Sequence, residues 1–104
     1  MTDASDRLSR AVTHRLATAR NGDDMYSDVT HGPETEDTVI WQMTANGVEV
    51  WLDVVYPAMA RLPGQLLRTV TKEQAHDEIV ASIRQRDTDG TLLPYYEKTW
   101  GVPT

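Results

Sequence analysis

The sequence predicts a small α+β domain in which an antiparallel β-hairpin stands between two helices along the chain. Two observations carry this prediction. Asn46-Gly47 separates two runs rich in apolar residues, and apolar residues recur at helical spacing near both ends of the chain. The length of 104 residues is that of one typical domain, so we expect 1–104 to fold as a single unit.

The first predicted element is a helix over 3–20. Thr2 or Asp3 can cap its start, and Asn21-Gly22 is a typical helix end. Its apolar side chains recur every three or four residues, as on one face of a helix: Ala4, Leu8, Ala11, Val12, Leu16 and Ala19.

Residues 22–37 follow as a predicted acidic loop. They show no apolar period and no Lys or Arg, and they hold six acids: Asp23, Asp24, Asp28, Glu34, Glu36 and Asp37. A structureless connection of this length is uncommon inside a compact domain and is typically functional or disordered. The formal net charge of −6 is concentrated here, which disfavours binding to duplex nucleic acid and suits a basic surface on a partner.

The hairpin is the best-defined predicted element. Strands over Thr38–Ala45 and Val48–Tyr56 flank Asn46-Gly47, whose residues tolerate the positive φ values of a type I′ turn. An isolated hairpin is marginal in water, so helices must cover it or another strand must extend it. A two-residue turn here predicts one apolar face of four cross-strand pairs: Ala45 with Val48, Met43 with Val50, Trp41 with Leu52, and Val39 with Val54.

The opposite face of the hairpin holds candidate partner-binding residues, namely Ile40, Trp51 and Val55. The same register places Trp51 opposite Gln42 and Ile40 opposite Asp53. Trp is enriched at binding hot spots. Either other parts of the chain cover Trp51, or it is an exposed anchor for a partner or an identical copy.

A second helix is predicted over 71–86, where Thr71 and Gln74 form a capping box. Residues 65–70, just before it, fit either a short third strand or a helical lead-in. An apolar tail follows the helix and supplies three further candidate binding residues, Tyr95, Tyr96 and Trp100. The apolar stripe of the helix consists of Ala75, Ile79, Val80 and Ile83.

Asp87-Thr88-Asp89-Gly90-Thr91 resembles D-x-D-G-T, the first motif of the haloacid-dehalogenase-like phosphatases. The resemblance implies that Asp87 is a nucleophile and Asp89 a general acid/base, with magnesium held between carboxylates. That family carries the motif after a buried parallel strand and needs further motifs downstream. Here an amphipathic helix precedes it and only fifteen residues follow Asp89. The residues therefore predict a helix end and a turn, with Gly90 at positive φ.

We predict no catalytic, cofactor-binding or metal-binding residues. The chain has no Cys, and the E-x-x-H spacing of Glu73 and His76 occurs once, whereas a di-iron bundle needs it twice. His14 and His31 are likewise isolated in the sequence, without a nucleophile motif such as G-x-S-x-G. A Ser-His-Asp group stays open, because its members need not be adjacent in sequence.

These observations predict a non-enzymatic protein–protein interaction or assembly module, with a protein or a second copy as partner. A subunit of a larger complex, such as a phage or virus connector or tail component, fits this description. Two alternatives stay open. One is an acidic regulator or inhibitor that occupies a basic nucleic-acid-binding groove on a partner. The other is a small enzyme whose His/Asp site, such as Asp53 with one of the three His, is assembled by folding.

The sequence also predicts a cytoplasmic location, or a virion location if the protein is a phage component. No run of residues approaches the roughly 18 apolar residues of a membrane span. The N-terminal residues lack the charged start and apolar stretch of a signal peptide.

Overall fold

The computed structural model describes residues 4–31, 36–55 and 64–103, and it shows an α+β fold. The chain divides into two compact units, one holding four strands and the other three helices. The predicted fold class, an N-terminal helix with an antiparallel sheet and a C-terminal helix, is confirmed. In chain order the elements are α1 (Ala4–Thr18), β1 (Asp24–His31), β2 (Glu36–Thr44), β3 (Gly47–Val55), β4 (Gln65–Val70), α2 (Lys72–Arg86) and α3 (Leu92–Thr99).

The four strands form one antiparallel sheet whose spatial order, β1-β2-β3-β4, is the order along the chain. Strands that are consecutive in sequence therefore pair with each other. The predicted hairpin is the central pair, β2 and β3, and a further strand extends it on each side. β1 and β4 are the two edges of the sheet.

The hairpin has the predicted strands but a different turn and register. Thr44 pairs with Gly47, so the loop is Ala45-Asn46, and neither loop residue has a positive φ. The predicted type I′ turn is therefore wrong, because that turn needs positive φ at both central residues. Because the register moves by two residues, the paired side chains of Val39, Trp41, Met43, Val48, Val50 and Leu52 still share one face. Ala45, which the sequence predicts on that face, is instead an exposed loop residue. The pairs on the apolar face become Met43 with Val48, Trp41 with Val50, and Val39 with Leu52.

The prediction of a loop over 22–37 is wrong for most of that segment. Strand β1 occupies Asp24–His31 and β2 begins at Glu36, while 32–35 lie outside the described residues. A β-bulge between Asp24 and Tyr26 interrupts the pairing of β1 with β2. Met25 and Tyr26 are both buried although they are adjacent in sequence. The bulge breaks the alternation of apolar and polar residues, which is why a period of two does not reveal this strand.

Residues 65–70 form strand β4, so of the two predictions for this segment, a short strand and a helical lead-in, the strand is confirmed. β4 pairs with β3, and a β-bulge between Val50 and Trp51 divides the ladder. Five of its six residues are exposed, and Val70 is half-buried. Hydrogen bonding to β3, rather than side-chain burial, thus accounts for the strand conformation.

Two amphipathic helices dominate the helical unit. α1 and α2 lie where the sequence predicts them, within two residues at each end, and α1 contacts both α2 and α3. Burial of one stripe on each helix confirms the helical period. The buried residues are Leu8, Ala11, Val12 and Leu16 on α1, and Ala75, Ile79, Val80 and Ile83 on α2.

The predicted aromatic tail contains a third helix, α3, which apolar spacing alone does not reveal. Pro94 lies in its first turn, where the missing N–H is not needed by the helix. An ion pair between Arg7 and Glu97 joins α3 to α1. His14 Nε2 lies 3.1 Å from the Trp100 carbonyl oxygen, which accepts its N–H. These contacts hold α3 and Trp100 against α1 within the helical unit.

Candidate functional site

Three apolar side chains form a row across one face of the sheet. Ile40 of β2 pairs with Trp51 of β3, and Trp51 pairs with Leu66 of β4. Directly opposed residues of antiparallel strands carry their side chains on the same face, so the three are neighbours. Leu66 is 44% exposed, and Ile40 and Trp51 are half-buried. We call Ile40, Trp51 and Leu66 the apolar row.

The observed register is what assembles the apolar row. In the predicted register Trp51 faces Gln42, and Ile40 faces Asp53. In the structure Gln42 faces Glu49 instead, and Asp53 faces Thr38. The shift by two residues thus pairs polar with polar and apolar with apolar side chains. Sequence reasoning identified Ile40 and Trp51, whereas Leu66 could not be placed before β4 was known to be a strand.

The chain itself covers part of Trp51. A Cβ atom added to Gly64 would lie 3.6 Å from Trp51 Cε3 and 2.9 Å from Asp53 Oδ1. The Trp51 Nε1 atom is buried and has no hydrogen-bond partner in the part of the chain that the structure describes. Asp53 is itself buried, at 7% exposure. The exposed end of the apolar row is therefore Leu66.

The predicted acidic residues lie at or beside the edge strand β1 and at the start of β2, except Glu34, which is outside the described residues. Asp23 Oδ2 accepts a hydrogen bond from the Arg20 backbone N–H at 2.9 Å. Asp24 Oδ1 accepts one from Gln42 Nε2 at 3.3 Å. These two carboxylates therefore help to fix the entry into β1. Acidic side chains on an edge strand also oppose its pairing with other chains.

The predicted aromatic residues of the tail divide into packed and exposed ones. The rings of Tyr96 and Trp100 stack with centroids 4.6 Å apart, and Arg86 Nη1 donates to the Tyr96 hydroxyl at 3.3 Å. Tyr95 is 58% exposed. The side chain of Val55 is outside the described part of the structure. Tyr95 is thus the tail aromatic that remains most available to a partner.

Helices α1 and α2 bring together a serine, a histidine and an aspartate. Ser9 Oγ lies 3.0 Å from His76 Nε2, and Asp77 Oδ1 lies 2.9 Å from His76 Nδ1. Sequence reasoning considered His76 with Glu73 as metal ligands and left a Ser-His-Asp group open, but it did not identify Ser9 and Asp77 as the partners of His76. Ser9 follows the buried Leu8 and His76 follows the buried Ala75. Those flanking positions of two packed helices are the signal that could have identified the pair.

Both aspartates of the phosphatase-like motif take part in a turn, as the sequence predicts. Asp87 Oδ1 accepts the Leu92 backbone N–H at 3.2 Å, at the start of α3. Asp89 Oδ1 accepts the Thr91 backbone N–H at 3.2 Å and its hydroxyl at 2.7 Å. Gly90 has the predicted positive φ, 79°. The hydrogen bonds of this segment are therefore those of a connection between two helices.

Comparisons with known proteins assign no family to this chain. A scan against protein-family models, a search of curated proteins and a search of solved structures each found no match. Among the described residues, no helix combines the length and the apolar character needed to cross a membrane. Function must therefore be inferred from the surfaces and side-chain geometry of the chain.

Proposed function

We propose that the protein is an interaction or assembly module that binds another protein chain through the apolar row. The observation that carries this proposal is the alignment of Ile40, Trp51 and Leu66 across three strands, with its Leu66 end 44% exposed. Apolar side chains that are contiguous and accessible typically mark binding surfaces. Trp51 supplies the aromatic anchor that such surfaces favour.

Edge strand β4 extends this surface. Leu66 and Leu67 are each 44% exposed, and β4 pairs with one strand only, β3, within the described part of the chain. An apolar edge strand is a template for pairing with another chain. The opposite edge, β1, carries Asp24 and Asp28, which hinder such pairing. We therefore expect the partner on the β4 side, and a second copy is the partner to test first, because β4-to-β4 pairing would join two apolar rows.

Molar mass measured by light scattering over a range of protein concentrations tests this proposal. We expect wild type to exceed its monomer mass of 11.7 kDa as concentration rises. Leu66→Lys should weaken association at least about 10-fold, which corresponds to about 1.4 kcal/mol. Val29→Lys is the matched control, since Val29 is 36% exposed on the other edge strand.

Two outcomes would contradict the apolar row as the binding surface. One is equal association of wild type and Leu66→Lys. The other is a strict monomer that captures the same partner proteins from its native source with and without Leu66→Lys. Repetition at high salt separates the acidic-regulator alternative, because screening weakens charge-driven binding and leaves an apolar contact intact.

A further inference from the structure

We propose that Ser9, His76 and Asp77 form a hydrolytic site that cleaves small uncharged carboxylic esters. The site lies on α1 and α2, within the helical unit. Its basis is one chain of contacts: Ser9 Oγ to His76 Nε2 at 3.0 Å, and His76 Nδ1 to Asp77 Oδ1 at 2.9 Å. A nucleophile, a base and a group that orients the base are three of the parts that serine-based acyl transfer uses.

The partners of the imidazole determine where its proton lies. The ring has two partners that only accept hydrogen bonds, Asp77 Oδ1 at 2.9 Å from Nδ1 and the Ser9 carbonyl at 3.3 Å from Nε2. The carboxylate is the nearer and the charged acceptor, so it holds the proton of the neutral ring on Nδ1. Nε2 is then free to accept the Ser9 hydroxyl proton. This is the tautomer that a general base needs, because the basic nitrogen must face the nucleophile.

The Ser9 carbonyl oxygen supplies a second acceptor. It lies 3.3 Å from His76 Nε2. Once Nε2 has taken the serine proton, both ring N–H groups have acceptors, Asp77 Oδ1 on one side and the Ser9 carbonyl on the other. The arrangement therefore stabilises the imidazolium that forms while the serine oxygen attacks.

The groove beside these residues sets the class of substrate. It has a volume of about 570 Å³, within the range of small-molecule sites. Leu16 and Ala17 supply apolar lining for an acyl or alkyl group. Glu73 and Asp77 bring two carboxylates against one ammonium, that of Lys72. The net negative rim repels anionic esters, so we expect neutral esters to be preferred.

The reaction is a balanced two-step hydrolysis. Ser9 Oγ bonds to the ester carbonyl carbon while its proton passes to His76 Nε2. The carbon–oxygen bond to the alcohol then breaks, and the alcohol leaves with that proton. Water attacks the acyl-serine in the second step, again giving its proton to Nε2. The acid leaves, and the proton returns to Ser9.

Asp77 acts through His76 and is therefore a positioning residue. Its side chain is 84% exposed, so solvent screens its charge and orientation of the ring is its main contribution. Asp77→Asn should lower kcat with little change in KM, by a smaller factor than loss of Ser9. Asp77→Glu should restore part of kcat, which a merely structural role would not require.

A fluorophosphonate probe, which labels activated serines through loss of fluoride, tests the site on the full chain. Intact mass and peptide mapping should show one phosphonyl group, on Ser9. His76→Gln keeps a side chain that can hydrogen-bond to Ser9 but cannot take up its proton as a base. Labelling should slow at least about 100-fold in His76→Gln and stop in Ser9→Ala. Ser27→Ala, at an exposed serine of β1, is the matched control and should label like wild type.

Hydrolysis of 4-nitrophenyl acetate gives the second measurement, with the circular dichroism spectrum of each variant as the check of folding. Ser9→Ala and His76→Gln should both lose the enzyme-dependent rate, whereas Ser27→Ala should retain it. Absence of labelling in wild type, labelling at another residue, or unchanged rates in a folded His76→Gln variant would each overturn this proposal.

Discussion

The pKa of the Asp89 carboxyl group lies below the ordinary Asp value because Thr91 in the same turn supplies two hydrogen-bond donors. The Thr91 hydroxyl, at 2.7 Å, is the larger cause that lowers the pKa of Asp89, and the Thr91 backbone N–H is the next. Both hydrogen bonds favour the ionised carboxylate. Since the pKa is lower in the folded chain, the contribution of Asp89 to stability is present above the unfolded value, about 3.9. It is lost as the pH falls through the folded value.

Replacing the Thr91 hydroxyl should change the pKa of Asp89. In Thr91→Val the carboxylate loses its strongest donor, so the pKa of Asp89 should rise towards the ordinary Asp value. Carbon-detected NMR titration of the Asp89 carboxyl group measures this directly. Thr88→Val is the control, because the Thr88 side chain is exposed in the same turn. An Asp89 pKa that is the same in Thr91→Val and wild type would show that the hydroxyl is not the cause.

Among the elements, Gly47 at the start of β3 and Gly90 between α2 and α3 both have positive φ but differ in their surroundings. Gly90 has φ of 79°, and a Cβ there would meet nothing within 4 Å. Gly47 has φ of 139°, and a Cβ there would lie 2.7 Å from the Val70 carbonyl oxygen. A residue with a Cβ at position 90 would therefore meet backbone strain alone. At position 47 it would meet backbone strain and also a clash with the backbone of β4.

Alanine substitution should separate these two effects. Gly90→Ala should lower the free energy of unfolding by about 1–2 kcal/mol, the cost of a left-handed conformation for an L-residue. Gly47→Ala should cost more, because β3 must also move away from β4. Urea denaturation of the two variants measures the difference. A larger loss in Gly90→Ala would contradict the observed approach of Val70 to Gly47.

At the level of the element, local sequence patterns predict the central hairpin but do not identify both edge strands, β1 and β4. The central hairpin follows from Asn46-Gly47 and two apolar runs, which are local features. A bulge in β1 interrupts the alternation of buried and exposed residues, and β4 exposes five of its six side chains. Neither strand therefore shows the alternation of apolar and polar residues that is typical of a half-buried strand. Both are strands because a neighbouring strand accepts and donates their backbone hydrogen bonds.

At the scale of the whole molecule, stability and binding should depend on different residues. Ile79 is 1% exposed, and its truncation to Ala should lower the free energy of unfolding by about 2–5 kcal/mol. Leu66→Ala removes an exposed side chain and should change the free energy of unfolding by no more than about 0.5 kcal/mol. Chemical denaturation at low protein concentration, where association is minimal, measures both. A Leu66→Ala loss as large as that of Ile79→Ala would indicate that Leu66 stabilises the fold itself.

The sequence by itself determined the α+β class, the positions of α1 and α2, the central hairpin and the turn at Gly90. Each of these depends on residues close together in the chain, through helical spacing, capping or turn chemistry. Only the tertiary structure decided the hairpin register, the strands at both edges and the joining of Leu66 to Trp51. It also decided the contact of Ser9 with His76, which are 67 residues apart. Such contacts depend on which elements pair and pack, and a local pattern carries no information about a distant partner.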